Sequence, residues 1–325
     1  MTTAQIEIQL IAVIVAVACA LPGVYLVLRR MAMMSDAISH TVLLGIVITF
    51  FLVRTLESPL LILGAAVMGV LTVSLIELVH RTRLVKQDAA IGIVFPALFS
   101  VAVILISRYA TGVHLDSDAV LLGELAFAPF DRTEVFGLDA PRALVMMGAI
   151  LAVDVLFIAV FYKELKISTF DAGLAASLGF SPALIHYGLM ALVSVTAVGA
   201  FDAVGSILVV ALMIAPAASA YLLTDRLSRM LWLSALIAAV SALSGYWMAR
   251  VLDANIAGAM ATSVGMIFSL VFLFAPERGI VAVAGRRRRQ RGEFAVAALA
   301  VHLLNHEDTP AQETESELGH LQAHL

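Results

Sequence analysis

Residues 8–30 read IQLIAVIVAVACALPGVYLVLRR, an apolar run that ends on two arginines. One α-helix needs about 20 apolar residues to cross a bilayer core, and this run supplies them. No basic segment precedes the run and no small-residue cleavage site follows it. We therefore interpret it as a retained membrane helix and not as a signal peptide. Runs of similar length recur along the chain, separated by short polar breaks.

The composition supports the same fold class. Of the 325 residues, 62% are hydrophobic and 14% are charged, which is too apolar for a chain folded around one aqueous core. We predict an all-α polytopic integral membrane protein with about eight or nine transmembrane helices, nine being favoured. The spans are predicted at about 8–28, 36–53, 60–79, 90–107, 142–162, 184–200, 204–223, 230–249 and 256–275.

The charge pattern predicts an orientation. The block from Arg286 to Arg291 closes the apolar region and is typical of a cytoplasmic segment. If this block is cytoplasmic and the chain has nine spans, the loops alternate between the two sides of the membrane. The cytoplasmic segments then hold 15 of the 20 lysines and arginines, and the outer segments hold five. This excess agrees with the positive-inside rule and predicts a cytoplasmic C-terminus.

Motifs for several other kinds of chemistry are absent. The chain has no phosphate-binding loop of the G-x-x-x-x-G-K-[ST] type and only three lysines, so we do not expect it to hydrolyse ATP itself. It also lacks H-E-x-x-H and G-x-S-x-G, which makes a metalloprotease or a serine hydrolase the weaker class. The single cysteine, Cys19, has no partner for a disulfide or a thiolate site.

Two segments depart from the pattern of spans and short loops. The outer segment 107–141 contains the apolar piece Ala119–Phe130, which is too short to span and suits a re-entrant or surface helix at a pore mouth. The cytoplasmic segment 163–182 contains Phe170–Gly179, which predicts a short amphipathic helix closed by a glycine C-cap before Pro182. A helix of this kind can dock in the groove of a partner protein.

Asp36 and His40 form the sharpest candidate site. The spacing i, i+4 puts both side chains on one face of the second predicted span. A carboxylate oxygen with an imidazole nitrogen suits manganese, iron or zinc, and ionisable groups at membrane depth usually face a cavity or a partner. The alternative is a hydrogen-bonded pair that only fixes helix packing.

Other ionisable residues are weaker candidates for the ion path. Asp154 lies in the middle of the fifth predicted span, Glu77 and His80 lie one turn apart near the inner end of the third, and Asp202 lies at a short outer turn. Each could add a metal ligand. For each of them we favour a structural role, such as a helix cap or a pairing with a neighbouring helix.

Several motifs, in the same order along the chain, resemble one family: the permease subunits of manganese, zinc and iron importers of the ATP-binding-cassette class. The resemblance covers residues 20–280. The matching stretches are LRRMAMMSDAISH (28–40), DAAIGIVF (88–95), LGELAFAPFD (122–131), FYKELK (161–166) with FD (170–171), FDAVGSILVV (201–210) and APAASAYLLTDR (215–226). The motifs at 123–131 and 163–171 look most like the manganese-type branch.

The resemblance implies the partners and the site. The permease would work in a bacterial inner membrane with a second permease subunit, identical or different, a cytoplasmic ATPase and an extracytoplasmic metal-binding protein. It would hold no permanent cofactor, bind no nucleic acid and pass Mn²⁺, or alternatively Zn²⁺ or Fe²⁺, along Asp36 and His40. A coupling helix within about 168–182, with Asp171, Ala175 and Gly179, would sit in the ATPase.

The end of the chain departs from the family pattern. We predict a transmembrane permease domain over 1–280 and a cytoplasmic tail over 281–325, basic and then acidic, which resembles the start of a winged-helix extension that stops early. Two other functions stay open. One is a proton-coupled metal carrier in which Asp154 and Glu77 relay protons, and the other is a non-transporting regulatory membrane subunit whose tail binds metal or DNA.

Overall fold

The protein is described by a computed structural model that covers residues 2–55, 60–109, 125–135 and 138–305. The helices are α1 Thr3–Leu28, α2 Met33–Val53, α3 Leu60–Arg81, α4 Gln87–Tyr109, α5 Arg142–Val160, α6 Tyr162–Phe170, α7 Ala172–Ser177, α8 Pro182–Val204, α9 Ser206–Leu223, α10 Leu227–Leu252, α11 Ile256–Phe274 and α12 Ile280–Asn305. The strands are β1 Arg132–Val135 and β2 Leu138–Pro141.

Within the described part of the chain, nine helices are long and apolar enough to cross a membrane: α1 to α5 and α8 to α11. This confirms the predicted fold class and the favoured number of spans. The protein is a multi-pass membrane protein.

The chain divides into two compact units, Met1–Ser269 and Leu270–Leu325. The first unit holds the bundle. The second holds the end of α11 and all of α12, whose arginine block is exposed and where Arg289 pairs with Glu293 at 2.7 Å. The boundary predicted near residue 280 stays a prediction, and the tail from residue 306 onward lies outside the described residues.

Helix α1 lies at the centre of the first unit. It packs against α5, α8, α9 and α10, and its residues are buried on every side, including Ile11, Ala12, Val15 and Cys19. A helix that is apolar all round is expected to be enclosed in this way. Helix α2 packs against α3, α4, α8 and α9, so the second span is also held by several neighbours.

Small residues bring the helix backbones together. A Cβ atom on Gly23 of α1 would overlap the backbone carbonyl of Met213 in α9, so only glycine fits there. Hydroxyl groups add hydrogen bonds between helices, such as Thr72 to Thr41 at 2.8 Å and Ser194 to the Ala66 carbonyl at 3.1 Å. Close small-residue packing with polar cross-links is how helices associate in lipid, where the apolar surface itself gives little driving force.

The first two spans are joined by a tight turn with a complete Schellman motif. Arg30 has a left-handed φ of 60°, its N–H donates to the Val27 carbonyl at 3.0 Å, and the Met31 N–H donates to the Leu26 carbonyl at 2.8 Å. These bonds satisfy carbonyls that the end of α1 would leave unpaired. They also fix Arg29, the C-cap residue, at the end of the bundle where α2 begins.

The opposite end of the bundle carries a two-stranded antiparallel hairpin in which Arg132 pairs with Pro141 and Glu134 with Asp139. Arg132 holds it: Nε donates to Asp139 Oδ2 at 2.7 Å and Nη1 donates to Glu7 of α1 at 3.3 Å. The hydrogen bond with Asp139 raises the pKa of Arg132, so the guanidinium stays charged. We call this end of the bundle the hairpin end. The opposite end, where α1 ends and α2 begins, is the α7 end.

The sequence did not predict the hairpin. Its strands are four residues each and contain charged residues and proline, so they lack the alternation that marks a strand. It depends on Arg132, whose partner Glu7 is distant in sequence. Half of the predicted surface helix over Ala119–Phe130 lies outside the described residues, and residues 125–130, the other half, form turns.

We expect Gly23→Ala to destabilise the bundle by about 2 kcal/mol, because the added methyl group overlaps the α9 backbone. The measurement is thermal unfolding of the purified protein in detergent, where the melting temperature should fall by several degrees. Gly148→Ala in α5 is the matched control, since its Cβ meets no atom within 4 Å. Equal melting temperatures for the two variants would contradict the close approach of α1 and α9.

Candidate metal-translocation site

Asp36 and His40 lie together in the first two turns of α2, close to the α7 end. Asp36 Oδ1 is 3.5 Å from His40 Nε2. The side chains are 33% and 30% exposed, so the pair is neither sealed in the core nor free in solvent. Their neighbours on other faces of the helix, Ser35 and Ser39, are buried. The structure therefore presents one carboxylate and one imidazole on a half-open face of the second span.

The spacing suits two ligands of one ion. With metal–ligand bonds of about 2.1 Å, ligand atoms 3.5 Å apart subtend an angle of about 110°, close to tetrahedral. A shift of a few tenths of an ångström would bring them to the smaller angle of an octahedral site. Manganese, iron and zinc all accept this donor pair, and the geometry alone does not choose among them.

Aromatic rings of α4 support the histidine. The His40 ring centroid is 5.4 Å from that of Phe95 and 5.7 Å from that of Phe99, the latter in an edge-on arrangement. These contacts limit the rotation of the imidazole and leave its Nε2 directed at Asp36. The sequence reasoning placed the pair on one helix face but did not identify the rings that hold it.

Glu77 is engaged by basic groups. Arg81 donates from Nη2 to Oε1 at 2.6 Å, and His186 Nε2 lies 3.8 Å from Oε2. Glu77, His80 and His186 line a cavity of about 190 Å³ beside Met34 of α2. Glu77 is thus already balanced by a guanidinium, which weakens the case for it as a metal ligand.

Asp154 and Asp202 lie in different places. Asp154 is fully buried in α5 and accepts hydrogen bonds from the Thr196 hydroxyl of α8 at 3.0 and 3.1 Å. Asp202 is exposed near the end of α8, about 24 Å along the helix from His186 and so at the hairpin end. Among the described residues, no three His, Cys, Asp or Glu side chains converge to hold a metal.

The predicted coupling segment forms two short helices, α6 and α7. The Asp171 carboxylate accepts from the Leu174 N–H at 2.9 Å and so caps α7. Gly179 has a φ of 87°, and its N–H donates to the Ala176 carbonyl, which confirms the predicted glycine C-cap. Ala175 is buried, whereas Leu174 and Leu178 are about half exposed, at 49% and 55%.

The residues that the sequence reasoning missed lie around the α7 end. Arg29 and His186 come from distant parts of the chain and contact each other directly. His186 carries a sequence signal, because it is an ionisable residue in an otherwise apolar span and such residues are usually functional. The sequence did not distinguish Arg29 from Arg30, whereas in the structure Arg29 is partly buried and Arg30 is exposed.

The fold is that of a multi-pass membrane protein, and one of its spans carries a partly exposed carboxylate–imidazole pair. The model of the ABC 3 transport family matches residues 4–276. The chain belongs to this family, as the sequence motifs predicted. It is the membrane subunit of an ATP-binding-cassette transporter, whose ATPase is a separate component.

Relatives of known function extend the comparison. The zinc transport system membrane protein TroD of Treponema pallidum is 53% identical over 319 residues, which cover 98% of this chain and 87% of that protein. The manganese transport system membrane protein MntD of Bacillus subtilis is 49% identical over 270 residues, covering 83% and 91%.

A solved structure has the same fold. The structure of PsaBC from Streptococcus pneumoniae in complex with Fab matches with a TM-score of 0.72 and 28% identity. The match covers 86% of this chain and 94% of that one, so the likeness extends over nearly the whole bundle.

We expect Thr196→Val to destabilise the protein by about 1–3 kcal/mol, since it leaves the buried Asp154 carboxyl group without its hydroxyl donor. Thermal unfolding in detergent measures the effect. Thr262→Val is the control, because Thr262 is exposed and its hydroxyl bonds only the Gly258 carbonyl of its own helix. If both variants unfold at the wild-type temperature, Asp154 is not held through Thr196.

Proposed function

We propose that this chain is the permease of an importer for a divalent transition metal, with Mn²⁺ as the favoured cargo and Zn²⁺ or Fe²⁺ as the rivals. The observation that carries the proposal is the Asp36–His40 pair, with ligand atoms 3.5 Å apart on a half-open face of a membrane span. The relatives TroD and MntD, named for zinc and manganese transport, support metal as the cargo. The donor set fits all three ions.

A second permease subunit completes the site. Asp36 and His40 supply two ligands, fewer than any of these ions takes, and their exposed sides remain open. A symmetry-related pair on an identical or similar subunit, together with water, would supply the rest. The ion would then lie between two subunits and be released when they separate.

The two ends of the bundle suit two soluble partners. The α7 end presents a short helix with exposed Leu174 and Leu178, an apolar ridge that fits a groove in a cytoplasmic ATPase. Asp171, Ala175 and Gly179 would set its position as cap, packing contact and terminus. The hairpin end would face outward and receive a metal-binding protein. We expect the arginine block of α12 to lie in the cytoplasm of the bacterial cell, because of the positive-inside rule.

We expect Asp36→Ala and His40→Ala each to lower metal uptake by at least about tenfold, because each removes one of the two protein ligands. Uptake of radiolabelled manganese is measured in cells that carry the variant in place of the wild-type chain, with unlabelled zinc and iron as competitors. The most effective unlabelled competitor identifies the cargo.

The control is Leu52→Ala on the same helix, a side chain that is 80% exposed, and we expect it to retain uptake within about twofold. Membrane abundance of every variant is measured by immunoblot. Full uptake by Asp36→Ala or His40→Ala at normal abundance would refute the site.

We expect Leu174→Glu to weaken the association with the ATPase by at least about tenfold, since a charge replaces an apolar contact at the centre of α7. Co-purification of the ATPase with the tagged permease is the measurement. Leu84→Glu is the control, because Leu84 is 87% exposed in the turn between α3 and α4 at the same end. Equal recovery of the ATPase with both variants would exclude α7 as its docking helix.

A further inference from the structure

Arg29 connects the segments on both sides of α7 to the end of α1. Its Nε donates to Thr169 Oγ1 at 3.1 Å and its Nη2 donates to Ser168 Oγ at 3.0 Å, both in the last turn of α6. Its Nη1 contacts His186 Nδ1 at 3.2 Å, in the second turn of α8. One guanidinium therefore holds the helix before α7 and the helix after it.

The contact with His186 extends to a third helix. A guanidinium only donates hydrogen bonds, so Nδ1 of His186 must accept and the ring proton must lie on Nε2. That nitrogen faces Glu77 Oε2 of α3 at 3.8 Å. The planar fork of Arg29 suits this arrangement, because its donors have fixed directions that a lysine ammonium does not provide.

Arg29 is also close to the metal pair along the chain. It is the C-cap of α1, seven residues before Asp36, and the Schellman turn described above fixes its backbone. Burial lowers the pKa of Arg29, although a guanidinium remains charged at physiological pH. A partly buried charge with directed acceptors on two helices transmits a displacement better than an exposed, mobile side chain does.

We infer that Arg29 is the positioning residue through which movement of α7 reaches the Asp36–His40 pair. The inference rests on the proposed function and adds to it a route by which movement at α7 reaches the metal site. When the ATPase displaces α7, the flanking helices α6 and α8 carry Arg29 with them. The turn between α1 and α2 then moves, and with it the first turn of α2 where Asp36 lies.

The test is metal uptake per ATP hydrolysed in proteoliposomes that contain the complete complex of this chain, its partner permease and the ATPase, supplied with the metal-binding protein and Mn²⁺. In Arg29→Gln we expect ATP hydrolysis to continue while uptake per ATP falls by at least about fivefold. Arg30→Gln is the matched control, because Arg30 is exposed and makes no side-chain hydrogen bond within the described residues.

The double variant Ser168→Ala, Thr169→Val keeps the arginine and removes its two acceptors on α6. It should show the same uncoupling, and it decides the question if Arg29→Gln fails to assemble. An unchanged ratio of uptake to hydrolysis in a variant that assembles overturns the inference, including the case in which both rates fall in parallel. Absence of ATP-driven uptake by the wild-type complex overturns the proposed function, and the inference with it.

Discussion

The bundle depends on the need to satisfy every backbone polar group without water. In lipid, only helices do this within one segment, and their association then depends on close packing and on a few polar cross-links. Gly23 lets α1 lie against the backbone of α9, and Thr41 and Thr72 join α2 to α3. Helix α1 is enclosed by four other helices, so its two ends are held in place. Glu7 near its start contacts the hairpin through Arg132, and Arg29 at its end contacts α6 and α8.

The same constraint explains why the polar residues of the spans are informative. Thr196 supplies hydrogen bonds to buried Asp154, and Glu77 has Arg81, so each of these carboxylates has a local partner. Asp36 differs, because its nearest ionisable neighbour is a histidine on the same helix and both remain partly open. A carboxylate that the fold does not already pair in this way could bind a cargo ion.

Much of the architecture could be predicted from local sequence. The apolar runs predicted the spans, the i, i+4 spacing predicted that Asp36 lies beside His40, and Gly179 predicted the end of α7. Each of these features depends only on residues that are close together in the sequence. The hairpin could not be predicted because its short strands lack the alternation that marks a strand. The contacts of Arg29, and that of Arg132 with Glu7, could not be predicted because they join residues more than a hundred positions apart. The outer turn predicted for Asp202 already put it at the opposite end of the bundle from Asp36, which is where the structure has it.

The small number of side chains in the proposed metal site, Asp36 and His40, is consistent with transport rather than storage. An ion that passes through a membrane must be bound well enough to enter and weakly enough to leave. A closed cage of three or four side chains in one subunit would hold a transition metal tightly, and no such group occurs in the described part of the chain. Under the proposed function, two ligands on a half-open face would bind the ion firmly only while a second subunit covers them. In the proposed assembly, the affinity for the ion would depend on closure of the two subunits, and an ATPase docked on α7 would control that motion.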